Sequence, residues 1–212
     1  MYAIDLPGHG RSGGQSKSTL SGYAEVLLDW MRRRELPPAV IMGHSMGGAI
    51  GLTMALRAQP QVAGLVFVGS SARLRVAPTI LDLSSQVATF PQAVDFVIGA
   101  AFSPKTDSRL IDLAKKRMLE SGHVVFHNDF QACDNFDLRQ RLDEIKVPAL
   151  VITGEDDQLT PIKLGEELAE GLPAGGFLTI PAAGHMAMLE QPEALLAAVK
   201  TYYRQTFPAS HT

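Results

Sequence analysis

The stretch that decides the fold is Gly43-His44-Ser45-Met46-Gly47-Gly48, which directly follows the apolar run Ala39-Val40-Ile41-Met42. A β-type run that ends in Gly-x-Ser-x-Gly and leads into helix-forming residues predicts a strand, a sharp turn and a helix. The Ser45 hydroxyl is then raised above the sheet edge. Because the strained turn brings neighbouring elements close, we expect both Gly43 and Gly47 to be required on steric grounds. The Met46 N–H is expected at a helix N-terminus, where it can face developing negative charge.

Two later apolar runs, 148–153 and 176–180, also predict buried strands. The first is followed by adjacent acids, Asp156 and Asp157, and the second by His185. Because ligand sites in parallel sheets open at the carboxyl ends of the strands, these side chains are expected in the same crevice as Ser45. A serine hydroxyl needs a nearby base, and histidine suits that role when a carboxylate holds its tautomer.

The chain resembles the α/β-hydrolase superfamily, in its branch of small capped serine esterases. Four motifs carry the resemblance, occur in the family's order and span nearly the whole chain: Asp5-Leu6-Pro7-Gly8-His9-Gly10-Arg11-Ser12, the Ser45 turn, the acid loop Gly154–Pro161 and Ala183-Gly184-His185. In the family the acid commonly falls three residues after the glycine and four before the proline, which selects Asp157 over Asp156. The resemblance implies Ser45, Asp157 and His185 as catalytic residues, the Met46 N–H in the oxyanion hole, and no cofactor.

The expected fold is α/β, with a mostly parallel sheet, helices on both faces and a helical cap insertion. Residues 1–70 form the first part of the core with the nucleophile turn, 71–136 the cap, and 137–212 the second part with the acid and histidine loops. The predicted strands are Met1–Asp5, Ala39–Met42, Gly64–Val68, Ala149–Thr153 and Phe177–Ile180. A helical cap would exclude water and shape an apolar substrate pocket.

The resemblance also implies elements ahead of this sequence. In the family, three strands and a helix precede the segment that corresponds to Tyr2–Asp5, and a His-Gly loop after the third strand supplies a second oxyanion-hole N–H. We therefore expect an N-terminally truncated form of a longer hydrolase. Its activity would be impaired, because losing one oxyanion donor lowers turnover by roughly two to three orders of magnitude. The strand Met1–Asp5 would then slide into the vacant place in the sheet, or pair with another molecule in a strand-swapped homodimer.

Composition excludes several classes of function. The net charge of −3 gives no basic surface for nucleic acid, and no run of roughly 18 apolar residues predicts a membrane span. The single cysteine, Cys133, excludes an internal disulfide and is expected to be a small buried or half-buried hydrophobic residue. No metal is implied by the spacing of histidines, cysteines and acids. His44 is expected to pack or hydrogen-bond beneath the turn, His9 to be structural, and the protein to be cytoplasmic.

By resemblance, the function is hydrolysis of small, mostly apolar carboxylic esters or thioesters through an acyl-enzyme. Serine at the turn argues against haloalkane dehalogenases and epoxide hydrolases, whose nucleophile is a carboxylate. Carbon–carbon bond hydrolases, cofactor-free haloperoxidases and lyases share the triad and stay open. A non-catalytic protein that binds a small ligand in the capped pocket also stays open.

Overall fold

The centre of the protein is a parallel β-sheet, seen in a computed structural model that describes residues 1–208 apart from the side chain of Gln59. Within those residues the sheet has four strands in the order β1-β2-β3-β4: β1 (Ala39–His44), β2 (Val62–Val68), β3 (Ala149–Gly154) and β4 (Gly175–Ile180). The register is nearly level, since His44 pairs with Val68, Val68 with Ile152, and Ile152 with Leu178. The loops that leave the carboxyl ends of all four strands therefore start at one edge, and the predicted α/β class is confirmed.

The predicted strand Met1–Asp5 is wrong. Residues 1–6 form no strand, and β1 is the edge of the sheet in the described part of the chain. A strand needs a neighbour for its backbone groups, and this segment makes other contacts instead. The Asp5 carboxylate accepts a hydrogen bond from Arg11 N (3.0 Å), the Asp5 carbonyl accepts one from Ser12 Oγ (2.7 Å), and the Tyr2 ring packs edge-on against Trp30. The segment is thereby held by the following loop and by a helix, and not by the sheet.

Helices cover both faces of the sheet, as predicted. The helices are α1 (Leu20–Arg33), α2 (Met46–Arg57), α3 (Pro78–Ser84), α4 (Phe90–Ala101), α5 (Ser108–Glu120), α6 (His123–Asp134), α7 (Ile162–Gly171), α8 (Ala187–Glu190) and α9 (Pro192–Thr206), with 3₁₀ turns at Gln59–Gln61 and Arg139–Glu144. Alternate residues of β2 serve the two faces: Leu65 and Phe67 pack in a cluster with α1, α2 and α7, and Val66 and Val68 pack with α8 and α9. Among residues 1–208, no helix combines the length and hydropathy needed to cross a membrane.

The insert between β2 and β3 contains the helices α3 to α6 and no strand of the sheet. It has its own apolar cluster, in which Phe90 and Phe126 meet edge to face. Leu159 and Met186, which lie in the loops after β3 and β4, pack against that cluster, so the insert sits over the carboxyl ends of those strands. The boundaries predicted at residues 70/71 and 136/137 stay predictions, and residues 209–212 of the last predicted segment lie outside the described residues.

Cys133, in α6, is a half-buried free thiol that packs against the main core cluster. Burial disfavours the thiolate and raises the pKa of this thiol to about 12, with nearby Asp129 and Asp134 adding to the effect. The thiol is therefore protonated at neutral pH, as expected of a small hydrophobic residue.

Candidate active site

Ser45 lies between the end of β1 and the start of α2 in a strained conformation, with φ 49° and ψ −116°. Non-glycine residues rarely adopt a positive φ, and such strain persists only where the surroundings hold it. Here Ser45 N donates to Val68 O (2.9 Å) and Ser70 Oγ donates to Ser45 O (2.8 Å). The half-buried serine is therefore fixed at the sheet edge by two bonds to β2 and the residues that follow it.

The glycines around Ser45 differ in why they are needed. A Cβ at Gly43 would lie 2.1 Å from the carbonyl carbon of Gly47, which no side chain allows. The steric prediction for Gly47 itself is wrong, because a Cβ there would meet nothing within 4 Å. The crowded position is Gly48, where a Cβ would lie 2.6 Å from Ser70 Oγ. The helix turns residue 47 toward open space and residue 48 toward the end of β2.

Asp157 is the acid that contacts His185. His185 Nδ1 donates to Asp157 Oδ2 over 2.9 Å, and both side chains are almost completely buried. The other carboxylate oxygen, Oδ1, accepts from Leu159 N (2.9 Å) and Thr160 N (2.8 Å), and Thr160 Oγ1 donates to Oδ2 (2.8 Å). Burial favours the protonated acid, but the hydrogen bonds from His185 and Thr160 outweigh it, and the pKa of Asp157 lies below its ordinary value. The neighbouring Asp156 instead accepts from Ser103 Oγ.

An ionised Asp157 that accepts from Nδ1 leaves His185 with its Nε2 lone pair available to take a proton. In the described residues no hydrogen bond joins the Ser45 hydroxyl to His185. The residue that precedes Ser45 does contact the predicted base, because the His44 ring centroid lies 4.6 Å from that of His185. Catalytic hydrogen bonds are often long in the free enzyme and tighten with substrate.

His44 links the serine turn to the histidine loop. Its Nε2 lies 2.9 Å from the His185 carbonyl oxygen and donates to it. Burial, together with repulsion from His185, lowers the pKa of His44 to about 3, so the ring is neutral at physiological pH. The hydrogen bond expected beneath the turn is confirmed, and its partner is the backbone of the predicted base.

The Met46 N–H lies in the first turn of α2, where backbone donors have no acceptor within the helix. These donors and the helix dipole favour a negative charge placed beside Ser45. The donor role of the Met46 N–H and the nucleophile role of Ser45 stay predictions.

Two residues of this site were not predicted from the sequence. Thr160 lies 3.2 Å from His185 Nδ1 as well as bonding Asp157. Gly69, with φ +53°, is so close that a Cβ there would lie 3.1 Å from His185 Nδ1 and 3.2 Å from Asp157 Oδ2. The sequence shows a glycine directly after β2 and a threonine within the acid loop, and both positions could have been examined as parts of the site. Only the packing of the loops shows what these two residues contact.

His9, in the N-terminal loop, has a structural environment, as predicted. Its Nε2 contacts Asp129 Oδ2 in α6 (2.7 Å) and its Nδ1 contacts Pro7 O (3.1 Å), while Tyr23 donates to the other oxygen of Asp129. The hydrogen bond to Asp129 raises the pKa of His9 against the opposing effect of burial. This cluster connects the loop to the insert.

A pocket of about 380 Å³ borders the acid loop and is lined by Leu159, Thr160 and side chains of α7. It shares Thr160 with the His185–Asp157 pair, but neither Ser45 nor His185 is part of its lining. The predicted nucleophile and base therefore lie outside the lining of this pocket. Within residues 1–208, no group of three or more His, Cys, Asp or Glu side chains is arranged to hold a metal ion.

Comparisons with known proteins show the family and agree with the fold. The model of the alpha/beta hydrolase family matches residues 1–199. The uncharacterised hydrolase YugF of Bacillus subtilis is 28% identical over 91% of this chain and 76% of its own length. The pimeloyl-acyl-carrier-protein methyl ester esterase of Nitrosomonas europaea is 24% identical over 91% of this chain and 81% of its own. A solved structure of a thermophilic esterase is 34% identical, with a TM-score of 0.87 over 98% of this chain and 81% of that chain.

Proposed function

Because the chain belongs to the alpha/beta hydrolase family, we propose that it hydrolyses small, mostly apolar carboxylic esters or thioesters through an acyl-enzyme on Ser45. Hydrolases and esterases among its relatives support hydrolase function at the coarser level. The fold alone does not fix the substrate, so the ester class rests on the site. The observation that carries the proposal is the buried His185–Asp157 hydrogen bond, together with the bond from His44, which precedes the strained Ser45, to the His185 carbonyl.

In the proposed reaction Ser45 Oγ attacks the acyl carbon while His185 Nε2 takes the hydroxyl proton. Asp157 keeps the imidazole in the tautomer that can accept this proton, and its charge stabilises the imidazolium. The Met46 N–H donates to the oxygen that becomes negative in the tetrahedral intermediate. His185 then gives its proton to the leaving alcohol or thiol, and the acyl group stays on Ser45.

The second half of the reaction repeats these roles with water. His185 takes a proton from water, the resulting hydroxide attacks the acyl carbon, and Ser45 leaves with the proton that His185 returns. The products are a carboxylic acid and the free enzyme.

We further propose that the helices α3 to α6 form the cap over this site. Contacts of Leu159 and Met186 with the apolar cluster of the insert support this, because those two residues lie in the acid and histidine loops. A cap in this place would exclude water and offer an apolar surface to the acyl or alcohol group.

Hydrolysis of p-nitrophenyl esters from acetate to octanoate tests the proposal. We expect activity with a maximum at short acyl chains, and a loss of at least roughly 10³-fold in kcat for Ser45→Ala. Ser85→Ala is the matched control, since this serine is exposed in the insert and its hydroxyl donates to the Asp82 carbonyl. An unchanged rate in folded Ser45→Ala would contradict the proposal.

A further inference from the structure

Glu190 connects two segments that are distant in the sequence. This half-buried residue ends α8, and its Oε2 accepts a hydrogen bond from Gly184 N (2.8 Å), directly before His185. Its Oε1 accepts from Ser103 N (2.7 Å) and Thr106 Oγ1 (2.5 Å), just beyond α4. One carboxylate therefore holds the histidine loop against the end of α4, and the proposed reaction gives this carboxylate no chemical role.

Ser103 extends the connection to the acid loop. Its hydroxyl donates to Asp156 Oδ2 over 2.5 Å, and the residue is only 2% exposed. Asp156 in turn donates its backbone N–H to Ala183 O in the histidine loop (2.8 Å). The acid loop, the histidine loop and the end of α4 thus meet at one buried serine.

The histidine loop has backbone on both sides of it. A Cβ at Gly184 would lie 2.7 Å from the carbonyl carbon of Phe102, and a Cβ at Gly154 would lie 2.2 Å from Gly184 O. In addition, Met186 N donates to Ala101 O (3.3 Å). The loop is thus packed between the end of β3 and the end of α4, and it cannot move away from β3 unless α4 moves with it.

We propose that Glu190 is a positioning residue that holds His185 in hydrogen-bond register with Asp157, by tying Gly184 to the end of α4 at Ser103. The role rests on the proposed hydrolase function, since it matters for catalysis only if His185 is the base. Glu190 acts through the backbone of the loop and not on the substrate. A charged acceptor suits this role because its bonds to N–H donors are shorter and stronger than those of a neutral one.

Glu190→Gln tests the proposal because an amide can replace only one of the two oxygens. If its oxygen faces Ser103 N, its NH₂ group faces the Gly184 N–H, and the reverse orientation sets NH₂ against Ser103 N. Either way, one side of the connection between the loop and α4 is lost. A base displaced by a fraction of an ångström slows proton transfer, and we expect kcat to fall about tenfold with KM changed less than twofold.

A second readout follows the hydrogen bond itself. The His185 Nδ1 proton, held by Asp157, is expected as a low-field ¹H NMR resonance that disappears in His185→Ala. In Glu190→Gln this resonance should broaden or shift. Asp134→Asn is the matched control, because Asp134 also accepts a backbone N–H of the insert, from Val76 (3.1 Å), and should leave the resonance and kcat as in the wild type.

Unchanged kcat and an unchanged resonance in folded Glu190→Gln would overturn the proposal. A lower melting temperature alone would not rescue it, because a loss of stability without these two effects indicates a purely structural role for Glu190. If the wild type hydrolyses no ester, the proposed function fails, and the NMR comparison alone then decides whether Glu190 positions His185. Should Glu190→Gln not fold, Glu190→Asp replaces it, since the side chain that is shorter by one methylene keeps the charge but cannot hold both Gly184 N and Ser103 N at their present distances. A resonance that does not move in folded Glu190→Asp would then overturn the proposal.

Discussion

Replacing Asp157 by asparagine changes one atom of the site and should remove most of the activity. In the wild type, Oδ1 accepts two backbone N–H bonds, from Leu159 and Thr160, and Oδ2 accepts from His185 Nδ1. If the amide oxygen keeps the backbone bonds, its NH₂ group faces His185, whose Nδ1 must then become an acceptor. The ring proton moves to Nε2, and His185 can no longer take a proton from Ser45.

The opposite orientation of the amide would keep the productive tautomer but is costly. It sets the NH₂ group against the N–H groups of Leu159 and Thr160, so one half-buried donor and one buried donor lose their acceptor. Each costs about 1–3 kcal/mol, or about 2–6 kcal/mol together. At about 1.4 kcal/mol per factor of ten, the productive form is reduced by roughly 30- to 10⁴-fold, and kcat should fall by the same factor.

Steady-state hydrolysis of p-nitrophenyl butyrate measures this loss, with thermal unfolding to confirm that Asp157→Asn is folded. Asp137→Asn is the control, because it also removes a carboxylate whose pKa is lowered, here to about 2 by its hydrogen bonds with Arg139. This exposed residue lies just after α6 and is not part of the proposed site. We expect its kcat to stay within twofold of the wild type. Folded Asp157→Asn with more than a tenth of wild-type kcat would refute the reasoning, as would an equal loss in Asp137→Asn.

Two further predictions concern the N-terminal loop and the serine turn. The bond to Asp129 raises the pKa of His9, so the stability that this bond contributes is fully present below pH about 6.5 and is lost as the pH rises through the folded-state pKa. The Tm difference between wild type and His9→Gln should therefore be larger at pH 6 than at pH 9. An equal or reversed difference would show that His9 is not protonated in the folded state. Gly43→Ala should lower the free energy of unfolding by at least about 3 kcal/mol, since its Cβ would overlap the Gly47 backbone. Gly47→Ala should keep or raise the free energy of unfolding, because alanine favours helix over glycine by about 1 kcal/mol. Urea unfolding measures both variants, and a Gly43→Ala protein as stable as the wild type would contradict the predicted overlap.

The sheet was largely predictable because each of its strands is a short apolar run, a pattern that can be recognised from neighbouring residues alone. The run 149–153 became Ala149–Gly154, and 64–68 became Val62–Val68, so only the ends differ. Met1–Asp5 has the same local pattern but forms no strand, because a strand also needs a partner for its backbone groups. Local sequence reports the side-chain pattern and cannot report whether such a partner is present.

The candidate site residues could be selected from sequence motifs, but the contacts that support them could not be predicted. Asp157 could be chosen over Asp156 by the family's spacing, and the observed bond to His185 agrees with that choice. Ser103 lies 53 residues before its partner Asp156, and Glu190 lies 87 residues after Ser103. Pairs of that kind depend on how the insert packs on the loops, which no local pattern encodes.

The most direct test of the central claim is to locate the adduct that a fluorophosphonate probe leaves on the folded wild-type protein. After digestion, mass spectrometry should find the phosphonyl group on Ser45 and on no other serine, and His185→Ala should label far more slowly because the serine has lost its base. A folded protein that takes up no probe, or that carries it on a serine other than Ser45, would contradict the account.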